Sequence, residues 1–303
     1  MLDDASQQPA ISPARPVVSE RSGQVEILTK VCGNDLLSAF GLGQLRCGRH
    51  LLRLISRIPA RRLARQVVTY DEIVGESGLA AGGAWALKRM ARRVEIEGLE
   101  NVPREGPLLL AANHPGLSDT VALFATTPRA DLRVVAAERP FLKALPNTSR
   151  YLLTVSEQPQ VRFGLLRTAT RHLRAGGAVL TFPGGKIEPD PAVLPGAVEA
   201  LERWSASVDL FARLVPDLVV VPVIVSGVLS PTALRNPLTF LRRRKDDREW
   251  LAATIQMMIP ALRNVTTRIA FGRPVRIDES ADRSVSRATL GEARRLIEQG
   301  GAG

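Results

Sequence analysis

The segment from Asn113 to Asp119, which reads Asn-His-Pro-Gly-Leu-Ser-Asp, places a histidine and an aspartate five residues apart. An apolar run precedes it and a helical pattern follows it. A carboxylate one helical turn beyond a histidine can bond one ring nitrogen and leave the other as a base. His114 and Asp119 therefore predict removal of a proton from an alcohol that attacks a carbonyl. The alternative is that Asp119 caps the helix and His114 fills a turn.

A second loop, residues 182–188, follows another apolar run and reads Phe-Pro-Gly-Gly-Lys-Ile-Glu. Backbone N–H groups of Gly184 and Gly185 can face an anion or a developing oxyanion at such a position. Lys186 can add a positive charge, and Glu188 a carboxylate whose orientation the sequence leaves open. The alternative is a tight, solvent-facing turn without chemistry.

Both loops need a scaffold that brings strand ends together. Strands are predicted at 94–98, 108–112, 132–136, 152–155, 178–182, 219–226 and 265–271, and helices at 118–127, 141–145, 161–174, 195–204 and 289–299. This alternation predicts the α/β class, with a central mixed, mostly parallel β-sheet flanked by helices. The carboxyl ends of parallel strands meet at one edge of a sheet, so we expect the two loops to lie near one another.

The residues before the sheet divide into two parts. Residues 1–24 contain prolines and polar residues without periodicity, which predicts a disordered tail. Residues 25–92 predict an N-terminal helical segment, broken at Pro59 and near residues 78–83. The α/β domain is then expected over residues 93–303.

The charge of the chain is strongly positive, with 41 lysines and arginines against 30 acids and a net charge of +11. Such a surface favours anionic partners. Aromatic residues make up only 4% of the chain, so few side chains are available for nucleobases to stack on, and we expect no nucleic-acid partner. Residues 46–65 carry seven arginines and no acid, interleaved with leucine and isoleucine. They predict contact with an anionic membrane surface, or an ordinary surface helix. Residues 242–245, basic but followed by acids, predict a solvated loop.

Other chemistries lack their motifs. Cys32 and Cys47 have no zinc-type spacing, and no metal or cofactor is expected. Gly-x-Ser-x-Gly and the phosphate-binding Gly-x4-Gly-Lys-Ser/Thr are absent from the sequence. Because no run of about 18 apolar residues and no secretory pattern occur, we expect a cytoplasmic protein that associates peripherally with the inner face of the membrane.

Asn-His-x4-Asp after an apolar strand resembles the signature of the glycerophospholipid acyltransferases, which include the lysophosphatidic acid acyltransferases. Residues 182–186 resemble that family's Phe-Pro-Glu-Gly block, residues 221–223 its Val-Pro element, and residues 268–274 its last strand and turn. The resemblance spans residues 94–276. It implies that His114 is the general base and Asp119 its orienting partner. It also implies direct transfer from acyl-CoA or acyl-carrier protein to a hydroxyl of a glycerol phosphate or lysophospholipid acceptor.

The chain departs from this family at two blocks. Gly184 stands where the family usually has Glu, and Lys186-Ile187 where a Thr-Arg pair is common. A second block, an apolar strand ending in Arg, is missing at 152–157. The basic residues near it are more typical of solvated surface charges than of phosphate ligands, and Arg162 and Lys186 are the better candidates for an acceptor phosphate. The candidate substrate-binding residues are Asn113, Arg162, Gly184, Gly185, Lys186 and Glu188. Two alternatives remain open: an amine or other lipid acceptor, and a catalytically inactive basic membrane-binding protein.

Overall fold

The computed structural model describes residues 18–43, 48–155, 159–276 and 284–300, and for residues 18–20, 49 and 159–163 it describes the backbone alone. Seven strands form one sheet in the order β1-β7-β6-β2-β5-β3-β4. The strands are β1 Arg93–Glu97, β2 Leu108–Ala112, β3 Arg133–Ala137, β4 Leu152–Val155, β5 Ala178–Thr181, β6 Val219–Ser226 and β7 Thr266–Phe271. Only β6 and β7 pair antiparallel among these strands. The predicted mixed, mostly parallel α/β sheet is confirmed.

Helices cover both faces of the sheet. They are α1 Val18–Ala39, α2 Arg49–Met90, α3 Asp119–Thr126, α4 Pro140–Lys143, α5 Pro146–Ser149, α6 Pro159–Arg174, α7 Ala197–Ala200, α8 Ser207–Leu214, α9 Pro231–Leu234, α10 Lys245–Met258 and α11 Val285–Gly300. Short 3-10 turns occupy Leu99–Asn101, Leu201–Arg203, Pro237–Leu241 and Pro260–Arg263.

The central strand β2 shows why two layers of helices are needed. All five of its residues are buried. Leu108 and Leu110 belong to one hydrophobic cluster, whereas Leu109 and Ala111 belong to another. Successive side chains of a strand point to opposite faces, so each face requires its own cover. Helices α2 and α3 contribute to the first cluster, and α6, α8 and α11 to the second.

The predicted tail boundary at residue 24 is wrong, because α1 already begins at Val18. Tertiary contacts stabilise this helix where the sequence pattern is weak: the Gln24 side-chain amide donates to the Ala144 carbonyl at 2.8 Å, and Leu28 is fully buried. Residues 1–17 lie outside the described chain.

Helix α2 runs through one predicted break and is interrupted at the other. Pro59 lies inside it, so the predicted break there is wrong. Gly78, with φ 84° and ψ 174°, leaves helical geometry as predicted. Val68 and Leu87 of this helix belong to the same core cluster as β2, so the N-terminal helices are part of the core that carries the sheet.

The predicted solvated loop at residues 242–245 is present in part: residues 243 and 244 are irregular and exposed, whereas the residues on either side of them differ. Arg242 is 17% exposed, donates to the Ser38 carbonyl at 3.1 Å and pairs with Asp247 at 2.8 Å. Lys245 begins α10, a helix that the sequence pattern did not predict. The acids that suggested solvation instead lie in the first turn of this helix, where negative charge is favourable. Across the described parts of the chain, none of the helices combines the length and the apolar character that crossing a bilayer requires.

Candidate active site

The loop after β2 begins with a side chain that ties two strands together. The Asn113 amide, 2% exposed, donates to the Val225 carbonyl at 2.9 Å and accepts from the Val225 N–H at 2.7 Å. This side chain therefore continues the pairing of β2 with β6 past the last backbone bond of the strand. Asn113 is committed to positioning the loop rather than to a substrate.

The next residues turn the chain sharply into α3. Gly116 has φ 84° and Leu117 φ 57°, both in the left-handed region that disfavours residues with a side chain. This turn brings Asp119, the first residue of α3, back to the residue that precedes the turn. Nδ1 of His114 lies 2.7 Å from Oδ2 of Asp119. The predicted histidine–aspartate contact is therefore present.

Asp119 is held by more than the histidine. Its carboxylate is 1% exposed and accepts the N–H of Gly116 at 2.8 Å, the Thr120 hydroxyl at 2.9 Å and the Thr120 N–H. Several donors around a buried carboxylate fix its orientation. Because Asp119 occupies Nδ1 of His114, the other ring nitrogen, Nε2, is left for a substrate.

The electrostatics of the histidine favour its charged form. Burial acts to lower the pKa of His114, but the hydrogen bond to Asp119, the charge of Asp119 and the charge of Glu188 together raise it above the ordinary value. The side chain is 29% exposed. This environment stabilises an imidazolium that forms when the ring accepts a proton.

The loop after β5 packs directly on His114. The ring of Phe182 lies 4.5 Å from the His114 ring, centroid to centroid. The Glu188 N–H donates to the His114 carbonyl at 2.8 Å, and Oε2 of Glu188 accepts the His114 N–H at 3.2 Å. Oε1 of Glu188 accepts the indole N–H of Trp204 at 2.9 Å. The two loops that the sequence predicted to lie near one another are in contact.

The remaining predicted residues differ in their surroundings. The Gly185 N–H donates to the Phe182 carbonyl at 3.0 Å and so closes the turn instead of facing an anion. Lys186 is exposed, and Gly184 lies against the Glu188 carboxylate. Arg162 belongs to α6, but its side chain lies outside the described residues.

Sequence reasoning missed one residue that holds this edge together. Asp190, 1% exposed, accepts backbone N–H bonds from Ala192, Gly227, Val228 and Leu229 at 2.8 to 3.0 Å. It ties the end of the β5 loop to the turn that follows β6. Its partners are more than 35 residues away for three of the four bonds, so no local pattern signals this role.

The arrangement supports base catalysis by side chains. A histidine with one nitrogen fixed by a buried carboxylate and the other left open can accept a proton from a hydroxyl. Within the described residues, no group of three or more histidine, cysteine, aspartate or glutamate side chains is placed to hold a metal ion.

Comparisons with known proteins relate one part of the chain to a known family. No curated protein matches the chain. Among solved structures the chain is similar to the 1-acyl-sn-glycerophosphate (LPA) acyltransferase, PlsC, from Thermotoga maritima, with 19% sequence identity, a TM-score of 0.43, and coverage of 93% of this chain and 94% of that chain. A family model described as Acyltransferase matches residues 93–226, which include both loops of the site. Residues 93–226 therefore match the Acyltransferase family, and this match supports acyltransferase activity for the chain.

Proposed function

We propose that this enzyme transfers a fatty acyl group from a thioester, acyl-CoA or acyl-carrier protein, to the hydroxyl of a glycerol phosphate or lysophospholipid, with His114 as the general base. The observation that carries the proposal is the 2.7 Å contact between Nδ1 of His114 and Asp119 at the carboxyl edge of the sheet. It leaves Nε2 as the open nitrogen of a partly exposed ring.

In the proposed reaction, Nε2 of His114 takes the proton of the acceptor hydroxyl while its oxygen attacks the thioester carbonyl carbon. The resulting tetrahedral intermediate carries its negative charge on the former carbonyl oxygen. Its collapse breaks the carbon–sulfur bond and forms the ester. The departing thiolate takes the proton from the imidazolium, so the histidine returns to its starting state without an acyl-enzyme. Asp119 holds the ring in the tautomer that this sequence requires.

Lys186 is the proposed contact for an anionic group of the acceptor. It is exposed on the loop that contacts His114, and no described residue forms a hydrogen bond or ion pair with its side chain. An exposed ammonium group can bind a phosphate as a point charge. The acceptor class depends on this loop because Gly184 and Ile187 stand where the resembling family has an acid and an arginine.

The first half of α2 is the proposed membrane contact, with the enzyme on the cytoplasmic side. Leu51, Leu54, Ile55 and Ile58 are 61 to 80% exposed and recur at the spacing of one helical face. Five exposed arginines accompany them at positions 53, 57, 61, 62 and 65, of which Arg57 pairs with Glu26 at 3.4 Å. Exposed apolar side chains beside arginines fit a surface of anionic lipid, with each basic residue contributing on the order of 1 kcal/mol near it.

The experiment measures thiol release from a long-chain acyl-CoA by the purified protein, with lysophosphatidate, other lysophospholipids and amine lipids as acceptors. We expect acceptor-dependent release that His114→Ala abolishes. Release with amine lipids alone would replace the hydroxyl acceptor by an amine. If acyl-CoA is inactive, acyl-carrier protein is tested as the donor. No release from either donor, with retained binding to anionic vesicles, would favour the inactive membrane-binding protein.

A separate assay tests the membrane contact. Sedimentation with vesicles of phosphatidylcholine, with and without phosphatidylglycerol, should show binding only to the anionic vesicles. Ile58→Ser should weaken this binding, whereas Leu210→Ser, which changes an exposed leucine of α8, should not. Equal effects of the two substitutions would contradict the assignment of the surface to α2.

A further inference from the structure

The backbone of His114 is hydrogen-bonded by a single residue of the β5 loop, Glu188. Glu188 donates its N–H to the His114 carbonyl at 2.8 Å and accepts the His114 N–H on Oε2 at 3.2 Å. Both polar groups of the His114 backbone are thus bonded to Glu188. The Glu188 side chain is 4% exposed, and its other oxygen is fixed by Trp204 at 2.9 Å. The carboxylate is therefore oriented before any substrate binds.

The same carboxylate fills the space in front of Gly184. A Cβ built on Gly184 would overlap Oε1 of Glu188 and lie 3.0 Å from its Cδ. Gly184 is not among the residues with positive φ, so its backbone conformation is open to residues with a side chain. Position 184 is therefore restricted to glycine by the volume of a neighbouring carboxylate and not by its own dihedral angles.

We propose that Glu188 is a positioning residue for the general base and that it acts together with Gly184. Because position 184 has no side chain, the carboxylate of Glu188 can occupy the space that such a side chain would fill. This inference rests on the proposed function and deepens it. The resembling family has its carboxylate at the position of Gly184. In this chain a residue four positions later places a carboxylate in the same volume.

The position of Glu188 matters for the proton transfer in two ways. The N–H and the carboxylate of Glu188 each bond the His114 backbone and so fix the peptide from which the His114 ring extends. Precise placement of a base can change the rate by large factors. Its negative charge also favours the imidazolium. Asp119 from α3 and Glu188 from the β5 loop are the charged groups that raise the pKa of His114. A residue that merely packed the loop would have only the first effect.

The shared space is tested by unfolding, without any assay of activity. Gly184→Ala should lower the free energy of unfolding in the wild-type chain, because its methyl group meets the Glu188 carboxylate. In the Glu188→Ala background the same substitution should cost little, because the space has been vacated. Gly291→Ala, at a helical glycine with open space around it, is the matched control and should behave alike in both backgrounds. An equal cost of Gly184→Ala in the two backgrounds would overturn the proposal.

The positioning role is tested by kinetics on the folded variants. Glu188→Ala should lower kcat by about 10- to 100-fold with little change in KM, as expected for loss of a buried charged hydrogen-bond acceptor. Adding Gly184→Glu to Glu188→Ala should recover about 10-fold, because it returns a carboxylate to the vacated space. Glu202→Ala, at an exposed glutamate of the neighbouring turn, is the control. A folded Glu188→Ala variant with wild-type kcat would overturn the proposal.

A titration of His114 separates failure of this inference from failure of the proposed function. The chain has three histidines, so the ring resonances can be followed by NMR and His114 assigned from the spectrum of His114→Ala. Glu188→Gln should move the titration midpoint of His114 to lower pH, and Glu202→Gln should not. This shift is expected even if no donor or acceptor supports turnover. An unchanged midpoint in Glu188→Gln would overturn the role of Glu188 while leaving the acyl transfer intact.

Discussion

A basic side chain pairs with an aspartate at each end of the central strands, and the two pairs differ in how completely they are bonded. At the amino ends of β2, β3 and β5, Arg129 pairs with Asp131 at 2.7 Å. At the carboxyl end of β2, His114 pairs with Asp119, also at 2.7 Å. The Arg129 side chain is 3% exposed, whereas that of His114 is 29% exposed.

The arginine is saturated. A guanidinium has five N–H donors. Those of Arg129 meet both carboxylate oxygens of Asp131 and the carbonyls of Pro103, Gly106 and Gly176 at 2.7 to 3.3 Å. These carbonyls directly precede β2 and β5 or lie in the turn leading to β2, so the side chain joins the strand starts. Since every N–H donor of Arg129 already has a protein acceptor, none is available to a substrate, and its role is structural.

The histidine is half saturated. Asp119 bonds Nδ1, and the structure has no partner for Nε2 among the described residues. Because Nε2 can contact solvent, leaving it without a protein partner costs little free energy. It is therefore available for proton transfer while the rest of the ring is fixed. The comparison shows that buried charge alone does not identify a catalytic group. An unbonded nitrogen on a partly exposed ring, as on His114, makes a group a candidate for catalysis.

The largest expected effect comes from removing the open nitrogen. His114→Ala should lower kcat by up to about 10⁴-fold, the upper range for loss of a general base. It should change the free energy of unfolding by less than about 1 kcal/mol, because the ring has only one strong hydrogen bond. Steady-state thiol release and urea denaturation measure the two quantities. Residual activity near the wild-type level would exclude His114 as the base.

Asp119→Asn should have a smaller effect on rate and a larger one on stability. We expect kcat to fall about 100-fold, because the amide cannot hold the ring in the required tautomer or stabilise the imidazolium. The free energy of unfolding should fall by about 1 to 3 kcal/mol, since the N–H groups of Gly116 and Thr120 lose a charged acceptor. Activity and urea denaturation of the same preparation provide the test. A stable variant with normal kcat would make Asp119 only a helix cap.

Arg129→Met should lower the stability and leave kcat unchanged, which is the reverse of the effect expected for His114→Ala. Three carbonyls lose their donor, so the free energy of unfolding should fall by about 2 to 4 kcal/mol. The kcat of the folded fraction should stay at the wild-type value, because the substitution lies at the opposite end of the strands. Arg167→Met, at an exposed arginine of α6, should stay within about 0.5 kcal/mol. A direct loss of kcat in folded Arg129→Met would break the comparison.

The smallest expected effect is a shift of the pH profile. The raised pKa of His114 means that kcat/KM should fall, as pH decreases, already above the ordinary pKa of histidine, because the protonated ring cannot act as a base. Asp119→Asn should move this limb to lower pH. The sign for stability is opposite, because a raised pKa in the folded state stabilises the protein at low pH, and this contribution is lost as pH rises through it. A pH series of kcat/KM and of urea midpoints tests both signs.

Features that depend on local sequence were predicted well. The apolar run before His114 became β2 with its predicted bounds, and the helix that follows begins at Asp119, one residue from its predicted start. The His114–Asp119 contact also follows from local spacing, because five residues and one tight turn separate the two groups. The unpredicted start of α1, by contrast, depends on contacts with residues 47 to 120 positions away.

Features that join distant residues could not be predicted. Nothing near Glu188 in the sequence indicates that its carboxylate turns back toward His114 and fills the space at Gly184. Arg129 and Asp190 bond main-chain groups up to 47 and 39 positions away, and main-chain groups have no sequence signature. The sequence around Arg242 predicts a solvated loop, whereas in the structure this side chain donates to the Ser38 carbonyl, 204 positions away.

The sequence by itself determined the class of the fold, the candidate base and its carboxylate, and the family resemblance, because periodicity and short spacing act within a few residues. The tertiary structure decided which polar groups are saturated and which remain open. Saturation is a property of pairs that meet only after the sheet has formed: strand order brings the β5 loop onto His114 and the strand starts onto Arg129. For this reason a pair of a basic residue and an aspartate is structural at the start of the strands, whereas a similar pair at their carboxyl ends is a catalytic candidate.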